Sequence, residues 1–378
     1  MNRSMPATPD NKSRKSKTTT TSTSHTVRSI RKALELNNIY IDDSGAETRG
    51  AELIETARVI VKGDRQSALK KEEGLALRET AKKYANSNEL TFLVHVWNKF
   101  WGVEDTRLVE STVDGELEDE EEAIRWMETA WEKDHLRCNW SADFTRGSVP
   151  PLVILDPALK ILADHAPRVK NPKPDLTYGL EQAAFSNDKQ RTNDENGAGL
   201  LIDMVHPFFV VEAKSAEKPI NEAENQCARD GAAMVRLKRK FDRLAEGIYQ
   251  DNKAQHGEDE DGNHVADQIS HNKEEIPIDH YRTDTRAFAF SLAIVPQDAK
   301  MFFHWVEEAY SKEGQLLTIN WHANELHTYN LKFPEPWIEL HRDMDNVLDW
   351  GTLTRKQELK DLCDKILERK NSNKRQKT

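Results

Sequence analysis

The stretch HPFFVVEAKS, residues 206–215, decides how the chain is read. Phe208, Phe209, Val210 and Val211 form a short apolar run of the kind found in strands covered on both faces. Glu212 and Lys214 follow with no turn residue between. Charged side chains at the end of a buried strand are costly unless something there uses them. Side chains alternate along a strand, so Glu212 and Lys214 share one face and Ala213 takes the other.

Downstream, INEAENQCARDGAAMVRLKRKF (220–241) carries Ala223, Cys227, Gly231, Met234, Leu237 and Phe241 at helical spacing. Its Ala228, Gly231 and Ala232 are small enough to let that helix lie close to a sheet. Upstream, NPKPDLTYGL (171–180) reads as a proline-led strand start, because a residue before proline is driven to extended backbone. The polar stretches near 184–204 and 249–277 read as loops. RAFAFSLAIV, KMFFHWVEE and LLTINWHANELHTYNL read as further strands, and TRKQELKDLCDKILERK as a closing helix. Before the strands, HTVRSIRKALELNN, NELTFLVHVWNKFW and DEEEAIRWMETAWEKDHL read as helices. Helices, strands with one helix among them, then a helix predict a mixed α+β fold with a sheet flanked by helices.

If the strands holding Asp175 and Glu212 are neighbours, the two carboxylates converge at one sheet edge. Two hard oxygen donors suit Mg2+ or Mn2+, and the Ala213 carbonyl could add a third. Lys214 would then stand beside a metal-bound water or a phosphate, orienting the one or offsetting charge on the other. Pro174-Asp175 with Glu212-Ala213-Lys214 resembles the signature of the PD-(D/E)XK nuclease superfamily. The wider text, NPKPDLTYGL, HPFFVVEAKS, NQCARDGAAMV and the late NVLDWG, resembles a fungal nuclease-like family within it, over roughly the last two-thirds of the chain. That resemblance implies a restriction-endonuclease-like sheet and metal-dependent phosphodiester hydrolysis, with DNA the expected substrate. It also implies a glutamate on an early helix facing the metal, a place Glu89 could take. An acidic residue in a first helical turn is equally a dipole effect. Gln226, on the helix after the Glu-x-Lys strand, could reach the metal or a phosphate, or simply face water.

Other features bound the reading. The net charge is −11, which argues against strong non-specific DNA binding. Three scattered cysteines offer no thiolate zinc site and no disulfide framework. Residues 1–26 and 369–378 are basic and almost without apolar side chains, so they read as disordered tails around a domain of residues 27–368. No signal peptide or membrane span is apparent, which leads to an expected nuclear or cytoplasmic location. RLKRKFDR (236–243) is either a phosphate-contacting patch or a solvated helix face. His322 and His327 lack metal-ligand spacing, and His95 falls on an apolar helix as a core or boundary histidine. No phosphate-binding loop, nucleophile elbow or dinucleotide fingerprint is present. The chain therefore reads as a magnesium-dependent nuclease. The alternative is a catalytically inactive nuclease-like fold that binds nucleic acid or protein.

Overall fold

The computed structural model describes residues 21–63, 65–102, 112–113, 116–117, 136–144, 148, 169–201, 204–248 and 277–376. Its centre is a seven-stranded mixed sheet. The strands are β1 (Ile39–Ile41), β2 (Leu136–Trp140), β3 (Leu176–Glu181), β4 (Met204–Ala213), β5 (His280–Val295), β6 (Asp298–Tyr310) and β7 (Leu316–Asn330), in the spatial order β1-β7-β6-β5-β4-β3-β2. The β1–β7 and β4–β5 pairs are parallel, and the rest are antiparallel. The helices are α1 (Thr21–Glu35), α2 (Ser44–Arg49), α3 (Ala51–Lys62), α4 (Lys71–Lys83), α5 (Glu89–Phe100), α6 (Asn187–Glu195), α7 (Ile220–Glu246), α8 (Pro334–Trp350) and α9 (Lys356–Gln376).

Every residue of β4 is buried, as the apolar run requires. The strand lies between β3 and β5, so its backbone is paired on both sides. α7 packs on β4, β5 and β6, and its small face permits a very close approach. A Cβ at Gly231 would stand 2.1 Å from the ring of His304 on β6. That ring is fixed by Ser291 Oγ at 2.7 Å. α5 joins the sheet through Trp97, whose indole donates to the Tyr178 hydroxyl on β3 at 2.6 Å. In the NVLDWG stretch, Gly351 begins a π-helical turn between α8 and α9. Its missing side chain makes room for the Phe208 ring of β4, which a Cβ would meet at 2.1 Å.

Three expectations need correcting. The polar stretch 184–204 is not all loop, because α6 occupies nine of its residues. No apolar periodicity marks α6. Instead Lys189 binds Asp364 and the Lys360 carbonyl on α9, and buried Asn193 meets His206 and Cys363. The arm assigned to 1–26 ends earlier, since α1 starts at Thr21. The tail assigned to 369–378 is helical as far as Gln376. The helix expected over 119–136 and the loop over 249–277 lie almost wholly outside the described residues. Among the described residues, no helix is long and apolar enough to cross a membrane.

Candidate active site at the β3–β4 edge

The antiparallel register pairs Leu176 with Val211, so one step further Asp175 stands opposite Glu212. Asp175 Oδ2 accepts from the backbone N–H of Ala213 at 2.7 Å, which fixes the carboxylate against the end of β4. Lys214 leaves the strand at the same edge, its N–H donating to Ile294 of β5 at 2.9 Å. Its ammonium donates to the Ala213 carbonyl at 2.6 Å and to Glu89 Oε2 at 3.0 Å. It lies 3.8 Å from both Asp175 Oδ2 and Glu212 Oε2.

Glu89 comes from the first turn of α5, whose N-cap, Asn88, accepts from Thr91 N at 2.7 Å. The first-turn position suits the helix dipole and also aims the carboxylate at Lys214. Its other oxygen accepts from Lys218 at 2.5 Å.

The sequence reading missed Arg229 and Asp230 on α7. Asp230 is fully buried and accepts from Arg229 Nε at 2.7 Å. Arg229 Nη2 is 3.9 Å from Glu212 Oε1. Helical spacing carried back from Gly231 and Cys227, the sheet-facing positions, was the signal that could have found Asp230. Gln226 lies one turn earlier, with its Oε1 buried and without a hydrogen-bond partner.

The electrostatics are uneven. Glu212 has no exposed surface, and neither of its oxygens accepts a hydrogen bond. Burial, then the neighbouring Asp175 and Asp230 carboxylates, hold its pKa well above the usual carboxylate range. Burial also raises Asp175, against the pull of Lys214 and the Ala213 N–H. Lys214 is raised: burial opposes its charge, but Asp175, Glu212 and Glu89 outweigh it. Glu89 is lowered, since its two lysine partners outweigh burial.

The site thus brings together Asp175, Glu212, Ala213, Lys214 and Glu89, five residues that the sequence singled out. Among the described residues, no group of three or more histidine, cysteine, aspartate or glutamate side chains is arranged to hold a metal. The available donor set is two carboxylates and a backbone carbonyl, which matches the few protein ligands magnesium takes when it keeps its waters.

The histidines serve elsewhere. His322 meets Glu307 at 3.1 Å and His327 meets Glu339 at 3.3 Å. His95 stacks on Tyr84 with centroids 3.8 Å apart, and burial together with Lys83 lowers its pKa to about 4.

A family of domains of unknown function, DUF7924, matches residues 108–364. The chain belongs to that family. The matched span contains β2 to β7, Asp175, Glu212, Lys214 and the Arg229–Asp230 pair of α7. Glu89 and α5 precede it. No curated protein and no solved structure matches the chain.

Proposed function

We propose that this protein is a PD-(D/E)XK-type nuclease on a restriction-endonuclease-like sheet, hydrolysing phosphodiester bonds in nucleic acid, DNA first among the candidates. The observation that carries the reading is Glu212. A fully buried carboxylate set beside the Asp175 and Asp230 carboxyls, with no cation nearer than 3.8 Å, is unfavourable in a merely structural role and suits a cation ligand. Asp175, Glu212 and the Ala213 carbonyl would hold a magnesium or manganese ion. Such an ion supplies Lewis-acid polarisation of a phosphodiester and a more acidic water.

The chain's own residues supply the rest. Lys214 carries a fixed positive charge, kept protonated by three carboxylates, that can offset charge gathering on a phosphate. Glu89, braced by Lys218, sets the position of the Lys214 ammonium. The Ala213 N–H holds Asp175 in place. Arg229, mostly buried and bonded to Asp230, lies 3.9 Å from Glu212 and is a second cation beside the carboxylates that could meet a phosphate.

One observation favours the rival reading, a fold of this kind without turnover that binds nucleic acid or protein. The Lys214 ammonium already touches the Ala213 carbonyl and lies equally near both carboxylates, so it partly fills the role of a cation. The test is a cleavage assay on single- and double-stranded DNA and RNA with magnesium, manganese or chelator, alongside thermal unfolding. Metal-dependent cutting, and a metal-induced rise in unfolding temperature that Asp175→Asn removes, are expected. Absence of both would leave the binding module.

A further inference from the structure

The RLKRKFDR stretch divides in the structure. Lys238 is buried against Asp242, and Arg236 donates to the Ser148 carbonyl, while Arg239 and Arg243 turn into a cleft of about 340 Å³. The opposite wall comes from the start of β5, with Arg282 and Arg286, and from the end of β6, with Glu308 and Tyr310. Four guanidinium groups therefore meet in one concavity on a protein whose overall charge is −11.

Among the described residues their compensation is incomplete. Arg239 and Arg243 share a single carboxylate oxygen, Glu308 Oε1, whose partner oxygen accepts from the Tyr310 hydroxyl. Arg286 pairs with Glu246 at 2.6 Å. Asp284 is 3.8 Å from Arg239, and one of its oxygens accepts from the backbone N–H groups of Arg286 and Ala287. Arg282 is exposed and forms no ion pair among the described residues. Burial and the neighbouring Arg243 depress the Arg239 pKa to about 10. The β5–β6 pairing breaks register between Asp284 and Ala289, beside the Thr285 and Arg286 wall of the cleft.

We propose that this cleft binds a phosphate group, on a free phosphate compound or at the end of a nucleic-acid strand. Guanidinium forks match phosphate oxygens in pairs, and the volume suits a small phosphorylated ligand. The cleft is separate from the carboxylate edge, since Arg243 lies roughly 20 Å along α7 from Arg229 at the usual helical rise. The inference does not rest on the nuclease reading, because it concerns other residues and another end of the sheet.

The experiment is calorimetric titration of the full chain, in chelator and at fixed ionic strength, with inorganic phosphate and with two short single-stranded oligonucleotides that differ in a 5′-phosphate. Inorganic phosphate should bind the wild type, and Arg282→Glu should weaken that binding about tenfold or more, the size of one charged hydrogen-bonding partner. Arg282 is exposed and has no ion pair among the described residues, so the variant should fold, which its unfolding temperature checks. Arg243→Gln supplies a second, milder variant. Asp175→Asn should bind phosphate as the wild type does, which keeps a failure here distinct from a failure of the nuclease reading. A preference for the phosphorylated oligonucleotide that Arg282→Glu abolishes assigns the cleft to strand ends. Equal affinity for the two oligonucleotides assigns it to free phosphate compounds. No phosphate binding, or binding that neither arginine variant weakens, overturns the proposal.

Discussion

Glu212 on β4 and Glu307 on β6 are both glutamates with no exposed side-chain surface, and they sit in the same sheet. Glu307 accepts two hydrogen bonds from Arg49, at 2.9 and 2.6 Å, with His322 at 3.1 Å and Asn320 at 3.4 Å. Burial works against its charge, but Arg49 and His322 win, and its pKa falls to about 2. Glu212 has cations only at 3.8 Å and beyond, and carboxylates beside it, so its pKa moves the other way. Burial alone therefore does not mark a working carboxylate. What distinguishes the two is whether the fold supplies partners. Glu307 is a fastening that ties the start of the chain, through Arg49 at the end of α2, to the sheet. Glu212 instead faces the Asp175 and Asp230 carboxyls with no cation in hydrogen-bond contact.

The comparison breaks most visibly at Lys214. If the open carboxylates serve catalysis, Lys214→Met should lower metal-dependent cleavage by roughly 10²–10³-fold, the usual loss when one charge-stabilising group is removed. It should also enlarge the metal-induced rise in unfolding temperature, because the competing ammonium is gone. Cleavage within a few-fold of wild type would remove Lys214 from the mechanism.

The fastening should respond in stability instead. Arg49→Ala leaves Glu307 buried with only His322 and Asn320, and should cost about 2–4 kcal/mol of unfolding free energy with cleavage rates unchanged. Urea denaturation at neutral pH measures it. A cost below about 0.5 kcal/mol, the range of an exposed pair, would show that the contact is not a fastening.

How much of this was legible beforehand follows from the range of the interactions. β4, α5, α7 and α9 announce themselves through local periodicity, and the Glu-x-Lys end of β4 points to its own chemistry. Asp175 was reachable because the proline before it fixes where its strand begins. β1 was not, since three residues carry no period and the strand forms only by pairing with β7. α6 was hidden because its stability comes from contacts with α9 about 170 residues away. The Arg49–Glu307 pair spans 258 residues, and Asp230 comes beside Glu212 only after α7 folds back on the sheet. No local pattern encodes such meetings.

Gly231 tests the close approach that brings Asp230 to Glu212. Its Cβ would overlap a His304 ring that is buried and held by Ser291, so the ring has little freedom to move. Gly231→Ala should destabilise by about 1–3 kcal/mol through overpacking. An unchanged urea midpoint would mean that α7 rides higher over β6, which would weaken the contact at Glu212 as well.

The finest test is the pH dependence of the two glutamates. A carboxyl with a depressed native pKa stabilises fully above its unfolded value and loses that contribution as pH falls. For Glu307 the loss runs from the ordinary 4.5 down to about 2. A carboxyl with a raised native pKa does the reverse, as the folded state holds its proton longer than the unfolded chain does. Glu212 therefore makes the metal-free protein less stable as pH rises from 4.5 toward its elevated pKa. Asp175 adds a slope of the same sign. In chelator, Glu212→Gln should flatten the decline above pH 4.5 without abolishing it, and should raise stability at neutral pH by about 1 kcal/mol, because the amide bears no cost of ionising or of holding a proton there. Glu307→Gln should leave that slope alone and remove the acid-side loss. Urea midpoints collected from pH 3 to pH 8 separate the two. If Glu212→Gln instead lowers stability at neutral pH, Glu212 is a paired structural carboxylate like Glu307, and the distinction between fastening and open site disappears.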